Sequence, residues 1–131
     1  MSDSPAPSPE LVAELSRRTD ICWVAQAAGT RMVWHTWADD ALCVVSGGEE
    51  QPLLEVDDGS RVEVVLRSRD TGGRLITWPG RVSVVRPSDA GWAPVTAALV
   101  AARLNLLDPD RAPQRWAAGS VVHRITFCPR R

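Results

Sequence analysis

The stretch Arg31–Leu53, RMVWHTWADDALCVVSGGEEQPL, decides how this chain is read. From Arg31 to Trp37 the pattern has a period of two. Arg31, Val33, His35 and Trp37 go to one side of a strand, and Met32, Trp34 and Thr36 to the other. Ala38-Asp39-Asp40 is a turn, where aspartate bonds its own backbone. Ala41–Ser46 is the next strand, and Ser46–Gln51 a polar loop closed by Pro52. The hairpin therefore delivers a Gly-Gly loop, whose amides suit a phosphate or a flat ligand.

Working outward, Ile21–Gln26 is a strand joined to this one through Ala28-Gly29-Thr30. Before it, Ser8 caps a short helix with Pro9 at its first position and Glu10 in its first turn. Leu11, Val12 and Leu15 give that helix an apolar face, and Arg17 and Arg18 complement its C-terminal end. Residues 1–8 are Pro/Ser-rich, offer nothing to bury, and read as a disordered tail ahead of one domain over 9–131. Downstream, Pro52–Val56 reads as one or two helical turns. Arg61–Arg69 is the cleanest strand, with Val62, Val64 and Leu66 inward. Asp70–Gly73 is its hairpin turn, and Arg74–Val85 the return strand, interrupted at Pro79-Gly80. Trp92–Leu104 is the long helix, because Pro94 opposes a start at Ser88. Arg111–Ala118 is a short helix ending at Gly119, and Val121–Cys128 the last strand.

The expectation is a mainly β fold: a six-stranded antiparallel, partly closed barrel with flanking helices and one long helix before the last strand. Closure is favoured because a flat sheet would leave apolar edges open. A plain α+β sandwich is the competing arrangement.

Composition narrows the partners. The chain has 131 residues and a net charge of −1, so no global field favours nucleic acid or an anionic membrane. All 15 basic residues are arginine, which leaves no lysine for Schiff-base or phosphate work. Cys22, Cys43 and Cys128 lie in strand-like surroundings without a Cys-x-x-Cys pair, which reads as buried reduced thiols. No apolar run approaches the roughly 20 residues of a membrane span, and no signal pattern opens the chain, so the expected residence is cytoplasmic.

Candidate chemistry is sparse. His35, between Trp34 and Trp37, is a candidate general acid or ring contact, although a half-buried structural histidine is the plainer reading. A structural role also suits His123, and the two histidines have no metal-ligand spacing. Trp23, Trp34 and Trp37 on the first hairpins are candidates to line a flat-ligand cleft or a dimer face. Trp92 and Trp116 read as helix-packing residues, and Trp78 as a rim residue. Arg67, Arg69 and Arg74 bracket a hairpin end, and a solvated role is preferred for them over anion binding. No catalytic residue is assigned, and no metal is expected.

The strand layout, RMVWHTW, the short DD turn, ALCVVS with its polar loop, and the RVEVVL…GRVSVV pair together resemble the pyridoxamine 5'-phosphate oxidase-like, FMN-binding split-barrel family. The resemblance runs from about Leu11 to Phe127. It implies a homodimer holding FMN, or in some relatives a deazaflavin or haem, at the subunit interface. It implies that Arg31 reaches the FMN phosphate and that Val33 and Trp34 place backbone beside the isoalloxazine ring. Val45 and Ser46 would follow on the neighbouring strand, and Thr36 stands where a lysine is often found. Gln51 ends the loop, where Glu50-Gln51 replaces an Arg-Lys pair.

That replacement has a Coulombic consequence. Carboxylates within about 5 Å of a phosphate dianion repel it by several kcal/mol at an effective dielectric of about 20. Two functions follow from the resemblance. One is an FMN-dependent oxidoreductase of unknown substrate, with the flavin carrying the electrons. The other is a non-catalytic split-barrel module that has lost FMN and binds another small molecule or a protein partner.

Overall fold

The structure, a computed structural model, describes residues 7–67, 73–103, 106 and 108–129. The expected tail through residue 6 and most of the Asp70–Gly73 turn, with Arg69, lie outside the described residues.

Ser8 does begin the first helix, α1 (Pro9–Arg18): its hydroxyl accepts from Leu11 N at 3.1 Å, and Val12 and Ser16 face inward. Strands β1 (Ile21–Gln26) and β2 (Gly29–Trp34) form a hairpin whose turn is Ala27-Ala28, two residues tighter in sequence than the glycine suggested. The chain then breaks at His35 and resumes as β3 (Thr36–Ala38). Asp39 and Asp40, both at positive φ (53° and 56°), turn it into β4 (Ala41–Ser46). Aspartate tolerates that conformation better than most non-glycine residues. β5 (Arg61–Arg67) and the longer β6 (Arg74–Val85) follow, and β7 (Val121–Phe127) comes after the helices in the sequence.

The described residues thus form seven strands rather than six, in the order β2-β1-β5-β6-β7-β4-β3, every pairing antiparallel. The extra strand comes from splitting residues 31–37 at His35. β2 pairs with β1 and β3 with β4, so one extended run supplies both ends of the sheet. The sheet curls until its two ends meet at that residue.

Three further expectations change. Helix α2 (Trp92–Ala102) begins where Pro94 required, but at 11 residues it scarcely exceeds α1 at 10 and α3 (Ala112–Gly119) at 8. Among the described residues no single helix is the long one. Residues 53–56 are irregular rather than helical, with Val56 N donating to Leu54 O at 3.0 Å, and pack Leu54 and Val56 into the core. Pro79-Gly80 does not interrupt β6. The carbonyl of Pro79 accepts from Cys128 N (2.9 Å), beyond the end of β7, so the proline's missing N–H falls where the ladder has run out. Gly80 is needed for space, since a Cβ there would lie 2.5 Å from Ile125 Cγ2.

Two cores result. Val24, Val33, Leu42, Val44, Val62, Val64, Leu66, Trp78 and Ile125 fill the curled sheet, with Val12 of α1 over one end. Cys43, Val45, Val85 and Val122 on the outer face pack against Val95, Leu99, Ala112 and Trp116 of α2 and α3. β4 serves both, and all six of its residues are buried. That is why ALCVVS is apolar up to its final serine, whereas RVEVVLR alternates.

Trp78 is fully buried and meets Trp37 and Phe127 edge-on at ring separations of 6.4 and 6.3 Å, so it is a core residue and not a rim residue. Its proline neighbour suggested an edge, whereas β6 has β5 on one side and β7 on the other.

Candidate functional site

Where β2 gives way to β3, the β3–β4 ladder stops at Thr36↔Cys43, so β4 has no backbone partner at Val45 on the side away from β7. Gln51 spans this seam with its side chain. Its Oε1 accepts from Trp34 N at 2.7 Å, and its Nε2 donates to Trp34 O and Val45 O, each at 3.0 Å. One amide thus does the work of a short stretch of ladder. The loop is held in turn by Gly47 N donating to Gln51 O (2.8 Å), Glu50 N to Gly47 O (3.1 Å) and Ser120 Oγ to Gly47 O (3.0 Å). Gly48 sits at φ +64°, and a Cβ there would lie 2.7 Å from Gly119 O, so both its conformation and its space demand glycine.

Glu50 turns inward. Its side chain is 7 % exposed; Oε1 is bound by Arg103 Nη1, and Oε2 accepts from Trp116 Nε1 at 3.1 Å. The Arg103 guanidinium lies 5.1 Å from the centroid of the Trp34 ring. A cavity of about 280 Å³ is lined by Trp34, Glu50, Gln51 and Arg103. A second, of about 350 Å³, lies between the loop and α3, lined by Gly48, Glu49, Glu50, Arg115, Trp116 and Ser120 among others. Glu50 belongs to both walls.

The residues expected from the sequence fall into separate places. Trp34, Val45 and Gln51 come together at the seam. Ser46 is buried beside them, and its hydroxyl accepts from Leu54 N at 3.0 Å. Val33 faces the barrel core, and Thr36 is half-buried on β3. Arg31 is exposed and lines a different hollow, of about 370 Å³, with Gln26, Gly29, Thr30, Leu54 and Glu55. The hairpin tryptophans also part company. Trp23 lies under the Arg67 guanidinium (5.2 Å), Trp34 joins the outer core and Trp37 the inner one.

Arg103 and Trp116 were missed as site residues. A signal was present: between Asp89 and Asp108, Arg103 is the only charged residue, and a lone charge after an apolar helix needs a partner.

Both histidines are structural. His35 is 1 % exposed, with Nε2 3.1 Å from the Ser16 carbonyl and 3.4 Å from Thr19 Oγ1. Burial holds its imidazole below the usual histidine range, against the opposing pull of the Ser16 carbonyl, the Asp20 charge and Thr19. His123, also 1 % exposed, sets Nε2 3.3 Å from the Val56 carbonyl, and burial lowers its pKa in the same way. A carbonyl partner assigns the proton to Nε2 in both rings, and each Nδ1 is left buried without a hydrogen bond. Cys22, Cys43 and Cys128 are free thiols; burial pushes Cys22 up strongly and Cys43 up to about 11, so neither is a nucleophile at neutral pH. Among the described residues there is no metal-binding cluster and no helix long and apolar enough to cross a membrane.

The fold defines a class: a mainly β, curled antiparallel half-barrel with three helices, the split-barrel architecture expected from the sequence. Among solved structures, the heme storage protein HutZ from Vibrio cholerae superposes with a TM-score of 0.59, covering 97% of this chain and 92% of that one at 15% identity. A likeness at that identity is one of fold. No family model and no curated protein matches the chain.

Proposed function

We propose that this chain is a non-catalytic split-barrel module that binds a small planar ligand at the Trp34–Gln51 seam, in a homodimer whose second copy covers the cleft. The observation that carries this reading is the internal satisfaction of the seam. Gln51 occupies both backbone groups of Trp34 and the carbonyl of Val45, while Glu50 occupies Arg103.

A flavin does not fit the loop as it stands. The backbone beside the expected ring position is already bonded, and the nearest cation is matched by a buried carboxylate. The same test goes against histidine-ligated haem, although the neighbour of similar fold is a heme storage protein. Both imidazoles lie in the core, with Nε2 directed at a backbone carbonyl. What the seam does offer is a half-buried indole face under a guanidinium, which suits stacking of a flat, uncharged or anionic group.

The expected outcome is a protein that is colourless as purified and takes up neither FMN, a deazaflavin nor haem stoichiometrically. A planar ligand that binds should quench tryptophan fluorescence, and Trp34→Ala should abolish the quenching. FMN co-purifying one to one, and lost in Arg31→Ala, would overturn this reading in favour of a flavin-dependent oxidoreductase. That second reading is favoured by one feature, the exposed Arg31 beside the 370 Å³ hollow, which leaves a cation available away from the loop. The dimer is tested by light scattering, where a monomer at micromolar concentration contradicts it.

A further inference from the structure

Arg103 and the Trp116 indole N–H converge on one carboxylate from two helical segments and grip one oxygen each. That is a built receptor for a carboxylate, combining a charge-assisted donor with a neutral one. Its occupant belongs to the chain itself. Glu50 reaches it from a loop that leaves β4 through two glycines at positive φ (83° and 64°). The loop is anchored on either side by the Gln51 amide and by Ser120, so Glu50 can leave without unpicking the seam. Glu50 lines both the 280 and the 350 Å³ cavity.

We infer that Glu50 is a resident pseudo-ligand: the Arg103–Trp116 clamp is a binding site for the carboxylate of a small aromatic acid, which Glu50 keeps closed. An incoming aromatic carboxylate takes both donors and lays its ring along Trp34 in the smaller cavity. Glu50 then swings into solvent beside Glu49, which is already exposed, and the two cavities become one. This rests on the planar-ligand reading above and adds the ligand's charged group and a regulatory contact. Glu50 competes as a tethered group at an effective concentration of millimolar or more, so a weak ligand sees a site that is mostly occupied. A strong ligand, or any event that pulls the loop away, opens it.

The test uses the full chain with benzoate as probe and benzamide as its uncharged isostere, read by calorimetry and tryptophan fluorescence. Glu50→Ala removes the competitor, and Glu50→Gln keeps its size without its charge. Both should bind benzoate about 10- to 100-fold tighter than the wild type, by the fraction of clamp released, with no gain for benzamide. Adding Arg103→Ala should cancel the gain. Equal benzoate affinity in wild type and both variants overturns the inference, as does an equal gain for benzamide or a gain that survives Arg103→Ala. If Glu50→Ala fails to fold by circular dichroism, Glu50→Gln decides alone by the same outcomes. Loss of this effect in a protein whose wild type still binds a planar ligand through Trp34 removes the pseudo-ligand and leaves the broader reading in place.

Discussion

The barrel is held shut in two unlike ways. Along β5, β6 and β7 the closure is backbone to backbone, with Val62, Val64, Leu66, Val82 and Ile125 turned into the core behind it. Between Trp34 and Val45 it is one glutamine side chain. The first kind distributes its free energy over many small contacts, so that no single group decides it. The second concentrates three hydrogen bonds in one residue, and replacing that residue leaves three backbone groups to find water. A seam of this kind is a local weakness, and weak places are where ligand sites and moving parts are usually drawn from.

Breaking the strong side should give the largest effect. Trp78→Ala removes a fully buried ring with two aromatic neighbours, and should lower unfolding free energy by about 3–5 kcal/mol in urea titration. Gln51→Ala attacks the seam, with an expected loss of about 2–4 kcal/mol for the unpaired groups. Its distinguishing readout is the Trp34 amide, whose hydrogen exchange should quicken far more than that of Val64. Equal protection in the variant would mean the seam does not depend on Gln51.

Gly48→Ala comes next. The positive φ and the 2.7 Å approach to Gly119 O predict a loss of about 1–3 kcal/mol, whereas a thermal midpoint unchanged from wild type would show the loop able to move aside freely.

The mildest perturbation is pH. His35 and His123 have folded pKa values below the unfolded value of about 6.5. Between those folded values and 6.5 the unfolded chain binds more protons, so stability is fully present above pH 6.5 and falls as pH drops through that window. Urea midpoints at pH 7 and pH 5 should differ in that direction. A double variant, His35→Asn with His123→Asn, should flatten the difference if it folds.

The legible parts of this molecule were those where one segment decides its own structure. The β5 alternation, the Ser8 cap and the start of α2 at Trp92 are local, and were read correctly. β4 was read as a strand, but its burial on both faces, which the run ALCVV without alternation would have allowed, was not read from it. The break at His35 was not read either, because RMVWHTW keeps its period of two straight through the point where pairing changes partner. Trp78 was misplaced by a local rule, since proline is also tolerated within a sheet where its missing N–H points past the end of the neighbouring ladder. At the site, the residue types of the loop were legible but their partners were not. Glu50 is satisfied by Arg103 and Trp116, whose positions depend on how α2 and α3 lie against the outer face. Its inward turn therefore follows from tertiary packing and not from the loop sequence.

The strand that is broken at His35 also orders events along the folding pathway. β1–β2 and β3–β4 are neighbouring hairpins sharing that one run, with two-residue turns, so both close over short loops and lose little chain entropy. β4 finds its other partner, β7, from the opposite end of the chain, at Leu42↔Ile125. Long-range pairing of that kind is slow to form. The local meander is thus expected to exist before the barrel does, with β4's outer edge bare until the C-terminal strand arrives. The step that ends that exposure is the docking of β7.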